Sequence, residues 1–252
     1  MSRVSLIKLG TISYKEGLVQ QAKYAQIVKQ SIAEGVPRHF LLLLEHNPVY
    51  TVGIRSTTVS AEEEGRLKTL GADFHRTSRG GLITFHGPGQ LVAYPVLALR
   101  SLRDCSGRVL GVRRYVDLLE ESIISTSTTV GLPEGTVDRV EGLPGVWVSG
   151  RRKLASLGVS VQHGVTGHGL ALNCDNDLRW FDQIVACGIS GVKMTSLASE
   201  LSTASASPFR CSVPTVTPIL VDAFAKAFRV ETHDESIDEP HTETTDMASS
   251  TH

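Results

Sequence analysis

The sequence predicts an α/β (α+β) fold: a single domain with a central sheet flanked by helices. Three observations carry that reading. Apolar residues recur at spacings of three or four from Leu18 to Ile32, and helical stretches return at 109–126 and towards Phe228. Between them lie short apolar runs bounded by glycine and proline, the pattern of strands joined by turns. Hydrophobic residues make up 41% of the 252 residues and charged residues 20%, enough to build an ordinary buried core.

Val4 to Leu9 reads as a first strand. From Ser13 the residues Leu18, Ala22, Ala25, Val28 and Ile32 form one face of a helix that stops near Gly35 and Pro37. Phe40 to Leu44 is too short and too uniformly apolar for a surface helix and is assigned as a strand. Asn47-Pro48 ends it before a second strand at Val49 to Val52. Glu62 to Leu70 forms a short helix closed by Gly71. Phe74, Ile83 and Leu91 to Leu99 mark further strands between glycine-rich turns, and a long helix follows over 109–126. Gly131 to Gly145 is expected to be loop. Val146 to Val148, Lys153 to Val161 and Gly169 to Asn173 are β-like. Thr217-Pro218 supplies an N-cap and a first-turn proline for a final helix through Phe228. The domain is drawn over 1–230. Glu231 to His252, rich in Thr, Ser, Asp, Glu and His, offers too little apolar surface to offset the entropy of ordering and is expected to be a disordered tail.

Composition excludes several classes of function. A formal charge of −1 gives no global field for nucleic acid or an anionic membrane, so neither is expected as a partner. Cys105, Cys174, Cys187 and Cys211 show no CxxC pair, which argues against a zinc knuckle and a disulfide framework. The longest apolar run, Phe40 to Leu44, is far short of the roughly 20 residues that span a bilayer.

Four segments concentrate reactive or ligand-binding residue types. The first runs Arg79, Gly80, Gly81, Leu82, Ile83, Thr84, Phe85, His86 and on through Gly87-Pro88-Gly89-Gln90. Glycines there permit close backbone approach, and an arginine fork and an imidazole can hold a carbonyl, while the same glycines also suit plain hairpin turns. It matches neither common nucleotide fingerprint. The second segment carries Lys153 on a strand with Ala155, Ser156, Leu157 and Gly158. Strict alternation would turn Lys153 inward with Ala155 and Leu157, where a partly desolvated amine can exchange protons near neutrality. The third is His168, Gly169, Leu170, Ala171, Leu172, Asn173. His163 and His168, five apart on a strand, face opposite ways and argue against a shared metal. The fourth holds Cys187-Gly188. A cysteine alone is more often a small buried hydrophobe than a nucleophile, and nucleophilic use requires a basic neighbour that periodicity does not identify.

These segments, in this order, resemble the octanoyl-carrier-protein:protein octanoyltransferases, also called lipoyl(octanoyl) transferases. Asn47-Pro48-Val49-Tyr50-Thr51-Val52-Gly53 and Thr195-Ser196-Leu197 add to the match, which runs from about Val4 to Leu201. Phe85 before His86 and the run Asp177 to Phe181 are similar to the animal mitochondrial branch. The resemblance implies a central mixed sheet flanked by helices, a fold like the catalytic domain of lipoate and biotin protein ligases. It implies Cys187 as acyl-thioester nucleophile and Lys153 as the group that activates it and shuttles the proton. Arg79 to His86, Ser156 to Gly158 and Gly169 to Ala171 would line the acyl pocket. It also implies octanoyl-acyl carrier protein, bearing phosphopantetheine, as donor. The acceptors would be lipoyl domains of 2-oxoacid dehydrogenase E2 subunits and of glycine-cleavage H protein. No ATP and no metal would be needed, and the location would be mitochondrial, with the cytoplasm as alternative. The rivals are an ATP-using ligase, a non-catalytic binding protein and a cysteine hydrolase.

Overall fold

In a computed structural model, the chain is described over residues 2–56, 59–185, 193–203 and 210–235. The main sheet holds nine strands. Eight run in the order β12 (Val230–Asp234), β1 (Ser2–Ile12), β2 (His39–His46), β6 (Gln90–Leu97), β10 (Val165–Asn173), β9 (Arg152–Gln162), β8 (Leu143–Val148) and β7 (Val137–Val140), and β11 (Lys193–Met194) pairs with β9 off that path. β12, β1 and β2 are mutually parallel, and β2, β6, β10, β9, β8 and β7 follow antiparallel. The sheet is therefore mixed. A second sheet of three short strands, β4 (Asp73–Arg76), β3 (Val49–Val52) and β5 (Thr84–His86), stands beside it.

The central strands explain the continuous apolar runs. β2 and β6 are covered on both faces, so the buried residues Phe40 to Leu44 cannot alternate with polar ones. On one face α3 (Val112–Thr129) and α5 (Val213–Phe228) pack together through Tyr115, Phe224 and Phe228, over Leu41, Leu43, Leu91, Leu154 and Leu170. The other face carries α1 (Tyr14–Ala33), whose Tyr24 and Val28 meet Phe40, Leu42 and Val96. A smaller core of Tyr50, Leu67, Phe74, Phe85 and Phe181 joins the small sheet to α2 (Ala61–Thr69), which contributes Leu67.

Several expectations need correcting. The start of α1 is fixed by a capping box in which Ser13 and Glu16 bond each other's backbone N–H. Its buried stripe, however, is Tyr14, Gly17, Gln21, Tyr24, Val28 and Ser31, not Leu18, Ala22, Ala25 and Ile32. Gly17 and Gln21 face inward because the first half of the helix lies on His46 and the backbone of His168, whereas Tyr24 and Val28 further along meet the apolar core. α5 begins at Val213, with Ser212 as N-cap and Pro214 in the first turn, so Pro218 falls inside the helix. The expected loop from Gly131 to Gly145 contains β7 and the start of β8. The boundary at 230 cuts a strand. Residues 231–234 belong to β12, whose pairing with β1 satisfies backbone groups that composition alone cannot register. Among the described residues no helix is long and apolar enough to cross a membrane.

Candidate active site

A cavity of about 290 Å³ opens between the strand pair β9–β10, the small sheet and the start of α1. Its walls mix aliphatic side chains, Leu82, Val92, Leu143, Leu157, Leu170 and Ala171, with Tyr14, Thr84, His86, Tyr94, Ser156 and His168. It follows β9 from Lys153 at one end, past Ser156 opposite Ala171, to Gly158 opposite Gly169. Beyond that the rings of His168 and Tyr94 lie 6.2 Å apart.

Lys153 is 4% exposed, and its Nζ donates to Pro144 O at 2.8 Å and lies 5.2 Å from the centre of the Trp147 ring. Its direction comes from a β-bulge. Trp147 pairs with Lys153 and Val146 with Ala155, leaving Leu154 as the extra residue. Parity switches there. Lys153 shares the cavity with Ser156 and Gly158, while Ala155 joins Leu154 in the core under α3 and α5. The simple alternation that turned Lys153 inward beside Ala155 is thus wrong in register, although the lysine is buried.

The glycine-rich segment 79–81 is a packing device. A Cβ on Gly53 would sit 2.4 Å from Gly81 O, and one on Gly158 would sit 3.0 Å from Gly80 O. Backbone therefore rests on backbone. The Arg79 guanidinium is buried and donates to Thr51 O at 2.7 Å, Leu82 O at 2.9 Å and Gly80 O at 3.0 Å. It ties its own loop to β3 while lining the cavity. Strand alternation then sorts the residues that follow: Thr84 and His86 face the cavity, and Ile83 and Phe85 turn into the small core, where Phe85 stacks 5.0 Å from Trp180. Of the fourteen positions expected to bind substrate, Gly80, Ile83 and Phe85 do not line the cavity, and the other eleven do.

A chain of amides sets the tautomer of His86. Asn173 donates Nδ2 to Thr195 O at 2.8 Å, so its Oδ1 accepts from Gln90 Nε2 at 2.9 Å. Gln90 then presents Oε1 to His86 Nδ1 at 2.7 Å, and that nitrogen carries the proton. His86 Nε2 is left as an acceptor. Burial, reinforced by His46 and Arg79, holds His86 well below the usual histidine range. His46 is also neutral, lowered to about 4 by burial; it accepts from Tyr94 OH at 2.7 Å and donates to Ile12 O at 3.1 Å. Burial lowers His168 to about 4 as well, and its backbone N–H donates to Gln21 Oε1 at 2.6 Å. These contacts account for the polar stripe on α1. Gly17 is where His46 seats, since a Cβ there would meet its Cε1 at 2.7 Å. The Ser156 hydroxyl is buried with no hydrogen-bond partner among the described residues.

Cys187 and Gly188 lie in 186–192, outside the described residues. Immediately after that segment, Lys193 and Met194 pair with Arg152 and Lys153, and Thr195 N donates to Lys153 O at 2.9 Å. Tyr14, Tyr94, Trp147 and Pro144 are cavity or lysine contacts that the sequence reading missed. One signal was available: Pro95 inside an apolar strand marks a break in pairing, and Thr166 Oγ1 bridges that break by bonding Leu97 N and Pro95 O.

A mixed sheet with helices on both faces and a lysine-ended cavity on one strand pair describe an α/β domain whose class is given by its family match. The same fold occurs in a bi-partite lipoate protein ligase from Thermoplasma acidophilum (TM-score 0.66, 16% identity, 95% of this chain and 89% of that one). Residues 19–225 match the lipoyl protein ligase A/B catalytic domain family. An octanoyl-[acyl-carrier-protein]:protein N-octanoyltransferase, mitochondrial, of Xenopus tropicalis is 49% identical over 77% of each chain. A putative lipoyltransferase 2, mitochondrial, of Drosophila melanogaster is 40% identical over 91% of this chain and 92% of its own. The chain belongs to the octanoyltransferase family within that domain class and is an acyltransferase. Its location is mitochondrial, as in the frog and fly relatives.

Proposed function

We propose that the chain takes an octanoyl group from octanoyl-acyl carrier protein onto Cys187 and passes it to a lysine amine of a lipoyl domain. The acceptor domains are those of 2-oxoacid dehydrogenase E2 subunits and glycine-cleavage H protein. The observation that carries the reading is Lys153, a buried amine at one end of a cavity whose surface is mostly apolar. An apolar trough suits an alkyl chain, and a proton-exchanging group at its end suits chemistry on the first carbon of that chain.

The first half begins when the Lys153 amine accepts the Cys187 thiol proton. The thiolate adds to the donor's thioester carbonyl, the bond to the phosphopantetheine sulfur breaks, and that sulfur takes the proton back from Lys153. In the second half the acceptor amine adds to the Cys187 thioester and gives its proton to Lys153. The C–S bond then breaks, and the departing cysteine sulfur is protonated. Thioester to amide runs downhill, so no ATP and no metal enter. The Ser156 hydroxyl, which has no hydrogen-bond partner among the described residues, is the donor we assign to the carbonyl oxygen as it gains charge.

The test is transfer from octanoyl-acyl carrier protein to an apo lipoyl domain without ATP. The expected result is amide product with the wild type and none with Cys187→Ala or Lys153→Ala. Product that requires free octanoate plus ATP, and survives Cys187→Ser, would replace this reading with a ligase.

A further inference from the structure

α3 buries Tyr115, Leu118, Leu119 and Ile123, as an amphipathic helix should, but it also buries a carboxylate, Glu120, which is 6% exposed. Such a group is retained only where its charge is well partnered. One oxygen, Oε2, accepts from Arg139 Nε at 3.1 Å, and Arg139 is further held by Asp117 O at 2.7 Å. That pair alone would be an ordinary link between α3 and β7. The other oxygen, Oε1, accepts from the backbone N–H of Gly145 at 3.0 Å. Gly145 N belongs to the same peptide unit as Pro144 O, the carbonyl that accepts from Lys153 Nζ at 2.8 Å. A trans peptide points its C=O and N–H in opposite directions, so this unit bridges the lysine on one side and the carboxylate on the other.

That peptide needs an anchor. Its C-terminal residue is a glycine at φ +119°, in backbone space closed to other residues, and a Cβ there would lie 2.5 Å from Ala155 O and 2.6 Å from Lys153 Cε. The glycine lets Lys153 pack against the turn. It also makes rotation of the peptide plane cheap, and a rotated plane would aim an N–H at Lys153 Nζ in place of a carbonyl. A carboxylate bond to the Gly145 N–H is charge-assisted and opposes that rotation, and bonds on the two ends of one peptide polarise each other.

We propose that Glu120 is the positioning residue for Lys153: it fixes the Pro144–Gly145 peptide so that its carbonyl seats Lys153 Nζ at the end of the cavity. The inference rests on the reading of Lys153 as the acid/base of acyl transfer. Two conservative variants separate position from charge. Glu120→Gln keeps an oxygen in reach of Gly145 N–H and loses the charge. Glu120→Asp keeps the charge and withdraws the oxygen by one methylene. Steady-state transfer from octanoyl-acyl carrier protein to a lipoyl domain is measured for both, with Lys153→Ala alongside and urea melts as a folding control. The expected result is that kcat of Glu120→Asp falls about 100-fold, as for a misplaced catalytic group, while KM for the donor stays within about threefold and kcat of Glu120→Gln exceeds that of Glu120→Asp by about tenfold or more. The reverse order, or equal kcat for the two, overturns the proposal. If Lys153→Ala is dead and both Glu120 variants turn over like wild type, this inference fails alone. Turnover retained by Lys153→Ala overturns the reading beneath it.

Discussion

Acid should unfold this protein through its buried histidines, and His46 offers the cleanest measurement. It is fully buried, donates Nδ1–H to Ile12 O and accepts from Tyr94 OH, so the fold holds it neutral, with a pKa lowered from 6.5 to about 4 chiefly by burial. The unfolded chain binds a proton below about pH 6.5 that the folded chain refuses until about pH 4. The stability this group contributes is therefore complete above pH 6.5 and is lost as pH falls through that window. For one such histidine the loss is about 1.4 kcal/mol at pH 5.5 and about 2.5 kcal/mol at pH 4.5. His39 and His168 are lowered to about 4 by the same burial, and His86 shifts the same way. Three such groups remove about 4 kcal/mol at pH 5.5, a large part of an ordinary domain's 5–15 kcal/mol. The assay is urea unfolding at pH 7.5, 6.5 and 5.5 for wild type and His46→Gln. The variant should be less stable at pH 7.5, because the imidazole ring packed on Tyr14 and Tyr94 is lost, and the gap should narrow by about 1.4 kcal/mol at pH 5.5. A wild type whose stability is flat over this range, or a variant that tracks it in parallel, would refute the neutral buried imidazole.

Two further outcomes follow from the cavity. Ser156→Ala should lower kcat for acyl transfer by about 100-fold with the fold intact, the scale of removing one oxyanion donor; kcat within threefold of wild type would remove Ser156 from the reaction. Gly169→Ala would place a Cβ 2.2 Å from Ala93 O and 2.7 Å from Pro95 Cδ, so β10 must shift, at a cost of about 3 kcal/mol in urea melts. Unchanged stability would show that β6 and β10 are not so closely apposed.

How much of this was legible in the sequence depended on whether local pattern or distant contact decided the outcome. β2 was legible because burial on both faces leaves an unmistakable apolar run, and the existence of α1, α2 and α3 followed from period and caps. The buried face of α1 was not, because Gly17 and Gln21 face inward for the sake of His46 and the backbone of His168, which lie 29 and 147 residues away in sequence (46 − 17; 168 − 21). β12 was missed because an edge strand in a parallel pair gains its hydrogen bonds from β1, and Glu231, Thr232 and His233 carry no apolar signal of their own. In the site, motif resemblance found the walls on β9 and β10. It swept in Ile83 and Phe85 because a motif is contiguous and a strand alternates. The seat of Lys153 was invisible for a different reason. It is a backbone carbonyl at Pro144, set by a bulge at Leu154 and a carboxylate on α3, and side-chain patterns report none of these.

The acyl-enzyme is the claim on which the account turns, and intact mass after incubation with octanoyl-acyl carrier protein, without acceptor, tests it most directly. The expected result is a single octanoyl adduct that is released by hydroxylamine, absent in Cys187→Ala and slow to form in Lys153→Ala. No adduct on the wild type, or one that persists in Cys187→Ala, would contradict the thioester route.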